Sequence, residues 1–190
     1  MTEIAIVFHS GYGHTHRQAE AVAEGVKKAG ANVHFLAINA EGDLSEEGWA
    51  ALGKADGVIF GSPTYMGGAS WQFKKFADAS SKPWFSQAWK NKFAAGFTNS
   101  ASINGDKFLT ITYFITLAMQ HCMAWVGLDI LPANTKAATR SDLNNLGGFS
   151  GALAQTPADA APSEMVQGDL DTAAALGTRF ATFVAQHKPA

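Results

Sequence analysis

The chain has little of several things. It has one cysteine, Cys122, in 190 residues, so no internal disulfide can form and a reducing compartment suits it. Charged residues make up only 16% and the formal net charge is −2, which argues against a nucleic-acid surface. No apolar run is long enough to cross a membrane. The short apolar run near the N-terminus follows Glu3 rather than a basic segment, so it does not read as a signal peptide, and a cytoplasmic location is expected. Internal repeats and low-complexity tracts are lacking too. What is plentiful is apolar: 47% hydrophobic residues, with 13 Phe and five Trp, enough for one full core in a single domain over residues 1–190. So many aromatics beside so little charge point to surface buried in an oligomer.

The chain is organised around the stretch His9-Ser10-Gly11-Tyr12-Gly13-His14-Thr15-His16-Arg17. Before it, Ile4 to Phe8 reads as a buried strand. After it, Ala19, Val22, Ala23 and Val26 fall on one helical face. Strand, glycine- and hydroxyl-bearing turn, then helix makes an anion site, because the free N–H groups of the first helical turn and the helix dipole favour negative charge there. The turn is no Walker A loop, since no lysine follows the glycines, and His16 stands where a dinucleotide fingerprint needs its third glycine. Its S-x-x-G-x-T pattern resembles the phosphate loop of flavodoxin-like proteins, which hold the phosphate of FMN with neutral donors. From this loop alone, an ordinary glycine-bearing turn reads equally well. His14 and His16 form an H-x-H pair, but no third ligand accompanies them and no metal is expected.

Further along, Gly30 caps the first helix, and Asn32 to Ile38 reads as a second strand. Residues 41–52 read as loop and short helix, with Trp49, Ala50 and Leu52 inward. Val58 to Phe60 forms a third strand, a helix starts near Ser70, and Lys92 to Phe97 forms a fourth strand. Asp106 to His121 is read as a helix despite its β-branched content, because Phe108, Ile111, Ile115 and Met119 keep helical spacing. It is apolar nearly all round, which suits burial by a partner subunit. Cys122 to Val126 reads as a fifth strand and about 170–185 as the last helix. Residues 131–168 have no clear period, and so long a loop covers a site or meets a neighbour. Alternation of strands and helices predicts an α/β, flavodoxin-like three-layer sandwich with a five-stranded parallel sheet in the order 2-1-3-4-5. Ligands then lie beyond the carboxyl ends of the strands. His9 is expected to be capped or solvated, His34 and His187 structural or exposed, and Cys122 an inert core thiol.

After the third strand comes Gly61-Ser62-Pro63-Thr64-Tyr65-Met66-Gly67. A strand ending in G-S-P-T-Y followed by M-G resembles the second flavin-contacting loop of WrbA-type NAD(P)H:quinone oxidoreductases. Trp84 ahead of the fourth strand, Ala118 to Met123 with its histidine, and Phe149-Ser150-Gly151-Ala152 resemble later motifs of that family in order. The resemblance implies FMN as cofactor, NAD(P)H as co-substrate and quinone as acceptor, in a tetrameric enzyme. It implies that Ser10, Gly11, Tyr12, Gly13, His14 and Thr15 hold the phosphate, with Tyr12 also near the nicotinamide nucleotide. Pro63, Thr64, Tyr65, Met66 and Gly67 would line the isoalloxazine. Thr98, Asn99, Ser100, Ala101, Ser102, Asn104 and Gly105 would meet the pyrimidine edge. His121 would reach the ring as a catalytic group, and Trp84 would flank the substrate pocket, in reach of a subunit contact. Two features depart from the family: the third loop, TNSASING, has one glycine where the family has many, and Tyr65 stands where the family often has arginine. An electron-carrier flavodoxin and a flavin-binding regulatory protein without turnover are the alternatives.

Overall fold

The computed structural model describes residues 1–188. Strand β1 (Glu3–Phe8) leads into helix α1 (His14–Lys28), then β2 (Asn32–Ala37), α2 (Glu46–Lys54) and β3 (Gly57–Tyr65). A short strand β4 (Gly68–Ala69), α3 (Trp71–Ala79), α4 (Ser81–Phe85), β5 (Phe93–Ser100) and α5 (Lys107–Gln120) follow. The chain ends in β6 (Ala124–Trp125), β7 (Ala152–Gln155), a 3-10 turn at Pro162–Glu164 and α6 (Gln167–His187). None of the described helices is long and apolar enough to cross a membrane.

The parallel ladder runs β2-β1-β3-β5-β6, with β7 also on β5 and β4 folded back antiparallel on β3. This is the flavodoxin-like arrangement expected, with its fifth position divided between two fragments. β6 pairs with Phe93 and Ala94 at the start of β5, and β7 with Phe97 to Ser100 at its end. The expected fifth strand, Cys122 to Val126, therefore shrinks to two residues. Cys122 itself is exposed and left-handed, at φ 56, rather than a core thiol.

Alternation along β1 builds the two faces. Ile4, Ile6 and Phe8 join Val22, Val26, Leu176 and Phe180 under α1 and α6. Ala5 and Val7 face the other way, onto Phe73, Phe76, Trp89 and Phe114 of the α3–α5 side. The pairing of α1 with α6 is close: a Cβ on Gly25 would stand 1.9 Å from the Ala174 carbonyl oxygen. Trp49 stacks on Phe76 at 5.1 Å, whereas Ala50, expected inward, is exposed. Helix α5 forms where β propensity alone would argue for strand, because its Ile111, Phe114 and Ala118 lie on one buried stripe.

Two strands run further than expected. β3 continues through Gly61 to Tyr65, and β5 through Thr98 to Ser100, the two pairing as far as Pro63 opposite Asn99. Pro63 is tolerated because β1 ends at Phe8 opposite Gly61, so its missing N–H leaves no ladder partner unmet. The second loop is reduced to a two-residue turn at Met66 and Gly67.

Candidate functional site

All three loops end at the carboxyl edge of the sheet. At the first, Gly13 takes φ +88 and α1 begins at His14. Ser10 Oγ accepts from the Gly13 and His16 N–H groups, each at 3.1 Å. The N–H groups of Tyr12, His14 and Thr15 have no partner among the described residues. They, with the helix dipole, form a donor cluster for an anion. Among the described residues no free cation joins them: Arg17 pairs with Glu20 at 3.2 Å on the exposed face of α1. His14 and His16 part company. His14 Nε2 donates to the Ala160 carbonyl at 2.7 Å, and His16 packs edge-on against Phe8 and Phe35.

The second loop is a tight hairpin with positive φ at both Met66 (47) and Gly67 (82), and Met66 is fully exposed at its tip. A buried hydroxyl chain locks it to the third loop. Thr98 Oγ1 donates to the Ser62 carbonyl at 2.6 Å. Each hydroxyl has one proton, so Thr64 donates to Thr98 (2.9 Å) and Thr110 to Thr64 (2.7 Å). Thr64 and Thr98 thus spend their side chains on holding the loops. Behind them, His9 is buried rather than solvated. Its Nδ1 lies 2.8 Å from Ser70 Oγ, and burial lowers its pKa.

Tyr12, Thr15, Pro63, Tyr65, Asn99 and Ala101 line one cleft of about 120 Å³ between the loops, together with His14, Thr64, Ser100, Thr156 and Ala158. The Tyr12 and Tyr65 rings meet edge to face at 6.1 Å, and burial raises the Tyr65 hydroxyl. A fourth segment, from the aperiodic stretch 131–168, closes the side. Thr156 Oγ1 donates to Asn99 Oδ1 at 2.9 Å, Ala160 receives His14, and a Cβ on Gly13 would stand 2.8 Å from Pro162. Part of the long loop therefore packs against this cleft. Ser10, Gly11 and Gly13 shape the first loop, Met66 and Gly67 stand at the hairpin tip, and Ser102, Asn104 and Gly105 continue the third loop. None of these eight lines the cleft directly.

His121 and Trp84 do not join them within one chain: the reach of His121 to the ring that the resemblance implies is not made there, and Trp84, expected to flank the pocket in reach of a subunit contact, stands apart as well. Helix α5 starts beside the third loop and runs back along β5 for 14 residues, which carries its end about 20 Å away. There His121 Nε2 donates to Ser80 Oγ at 2.8 Å, since Ser80 gives its own proton to the Ala77 carbonyl. The imidazole lies against Trp89, ring centroids 4.2 Å apart, with Nδ1 unpartnered. Burial pushes its pKa down to about 4, so it is neutral. Trp84 and His121 instead share a cavity of about 540 Å³ at the amino edge, with Phe85, Met119 and Cys122.

The donor set suits a phosphate monoester held without lysine, and Tyr12, Tyr65 and Pro63 offer flat apolar surface beside it. A flavodoxin-like fold with such an edge defines a flavin-binding class. Residues 6–133 match the family described as NADPH-dependent FMN reductase, and the chain belongs to that family. It is a flavin oxidoreductase by this membership. It is 48% identical over 181 residues to the flavodoxin FldP of Pseudomonas aeruginosa, covering 95% of this chain and 96% of that one. It is 34% identical over 147 residues to an NAD(P)H dehydrogenase (quinone) of Trichlorobacter lovleyi, covering 67% and 72%. A solved structure of a WrbA-like flavodoxin from Agrobacterium tumefaciens superposes with a TM-score of 0.80 at 52% identity, over 99% of this chain and 100% of that one. The resemblance read from the loops is borne out.

Proposed function

We propose that the chain is an FMN-dependent NAD(P)H:quinone oxidoreductase that reduces quinones by two electrons in a ping-pong cycle. The observation that carries this reading is the convergence of the lysine-free donor cluster of α1 with two other loops on one cleft. Ser10 to Thr15 hold the phosphate through backbone N–H groups and the Thr15 hydroxyl. Pro63, Tyr65, Met66 and Gly67 lie along the isoalloxazine, and Thr64 and Thr98 brace them. Asn99 to Ser102, Asn104 and Gly105 meet the pyrimidine edge, and Tyr12 stands beside the nicotinamide. Bound FMN supplies the two-electron chemistry between nicotinamide and quinone, while the protein binds, orients and excludes water. His121 and Trp84 act from a second copy of the chain, since one chain keeps them at its opposite edge; the assembly is a dimer or tetramer in the cytoplasm.

The test is a visible spectrum during titration with FMN, then NADH or NADPH, then a benzoquinone. Saturable FMN binding, bleaching by the nucleotide and return of colour with quinone are expected. Parallel double-reciprocal plots are expected too, and intersecting lines would remove the ping-pong claim. A second reading, an electron carrier, is favoured by the 48% identity to a protein described as a flavodoxin. In that case FMN binds but neither nucleotide bleaches it.

A further inference from the structure

The third loop inverts the usual rule of burial. Lys107 is 1% exposed, while Ile103, in the loop above it, is 70% exposed. The lysine is held for its ammonium. Nζ donates to three successive carbonyls, of Ser102 (2.6 Å), Ile103 (2.7 Å) and Asn104 (3.1 Å). In a trans peptide the N–H points opposite to the carbonyl before it. Drawing these carbonyls inward therefore turns the N–H groups of Ile103, Asn104 and Gly105 outward, and none has a partner among the described residues. The carbonyl of Ala101, next in line, is held separately by Gln155 at 2.6 Å.

We propose that Lys107 is the positioning residue of this loop, a buried cation that aims its N–H groups at the pyrimidine edge of the flavin. The inference rests on the FMN reading above and deepens it. It also accounts for the loop's single glycine. Gly105 is needed where φ is +55 and a Cβ would meet Ser100 Oγ at 2.2 Å, and lysine fixes the remaining backbone. Asp169 does not form an ion pair with Lys107. It is held bidentately by Arg140, at 3.0 and 2.6 Å, and accepts from the Gln155 N–H. The ammonium thus rests on carbonyl dipoles, and its field passes through them to the loop. Burial lowers its pKa to about 8, with Asp169 on α6 opposing the fall and Arg140 adding to it; Asp106 is its neighbour on the chain.

The experiment compares wild-type protein with Lys107→Met and Lys107→Gln, measuring FMN affinity by fluorescence quenching and the two-electron potential of the bound flavin. Loss of a charge-assisted contact weakens FMN binding by about tenfold in Lys107→Met. The flavin potential falls in both variants, because a cation near the pyrimidine edge favours the reduced, more negative cofactor. Lys107→Gln keeps donors without charge, so it regains affinity but not potential. In wild-type protein, FMN affinity weakens as pH rises through about 8, a readout that needs no variant. A flat affinity between pH about 7 and 9, or variants with wild-type potential, overturns the role of Lys107. Failure of wild-type protein to bind FMN at all overturns the earlier reading instead.

Discussion

The two edges of the sheet are built from different chemistry. At the carboxyl edge, backbone N–H groups and hydroxyls converge, Arg17 is paired with Glu20 and the Lys107 ammonium is held under the third loop. At the amino edge, Trp84 and Phe85, 43% and 81% exposed, stand over a larger cavity whose polar centre is a neutral histidine. The first edge has what an anionic cofactor requires. The second has aromatic surface with the neutral amides and hydroxyl of Gln87, Gln120 and Thr116 beside His121. The contrast shows that cavity size is a poor guide: the smaller cleft carries the donors.

The contrast breaks most sharply at Thr15. Thr15→Asp places a carboxylate among the N–H groups that would take the phosphate. Two like charges about 4 Å apart at an effective dielectric near 20 repel by about 4 kcal/mol, so FMN affinity falls at least about 100-fold. The helix itself tolerates an acid in its first turn. A titration giving near-wild-type affinity would move the phosphate away from α1.

The amino edge answers to acid instead. The folded pKa of His121, about 4, lies below its ordinary value of 6.5. The unfolded chain therefore binds more protons between these values, and stability is full above about 6.5 and falls as pH drops toward 4. The full loss is about 3 kcal/mol. Urea denaturation at stepped pH measures it, and His121→Gln removes that part of the slope. FMN affinity of the isolated chain is unchanged by the same substitution, whereas quinone turnover of the assembled protein drops. A smaller effect comes from the hydroxyl chain at the carboxyl edge. Thr110→Val removes the donor to Thr64 and costs about 1–2 kcal/mol in urea denaturation, with little change at the amino edge.

Much of the carboxyl edge was legible because its signals are local. Strand, glycine turn and helix occupy consecutive residues from Ile4 to Val26, and the G-S-P-T-Y run ends a strand. The spacing of Phe108, Ile111, Ile115 and Met119 made helix α5 legible against its β-branched content, although the stripe it buries is Ile111, Phe114 and Ala118 and leaves Phe108 and Met119 exposed. Motif order implied that His121 reaches the ring, but it gives position along the sequence, not which end of a 14-residue helix a residue occupies, and within one chain His121 stands at the far edge. The four residues of β7 are too few to show a period and were lost in the aperiodic stretch. Lys107 carried no sequence signal either, since a lysine after an aspartate reads as a solvated helix start. Only the three carbonyls folded over it reveal its role.

Met66 offers the finest test of what separates the edges. A hairpin turn with positive φ at both central residues favours Asn-Gly, and here Met-Gly stands instead, with the methionine fully exposed. A left-handed conformation disfavours a long side chain, and no burial offsets that cost within the chain. Met66→Asn accordingly stabilises the apoprotein by about 0.5 kcal/mol in thermal denaturation. If Met66 lies along the isoalloxazine, the same change weakens FMN binding by about threefold, because a polarisable apolar surface is lost. Gain of stability with loss of affinity marks strain kept for the cofactor. Gain of stability with unchanged affinity would take the hairpin tip out of the flavin site and leave Tyr65 as that loop's contact.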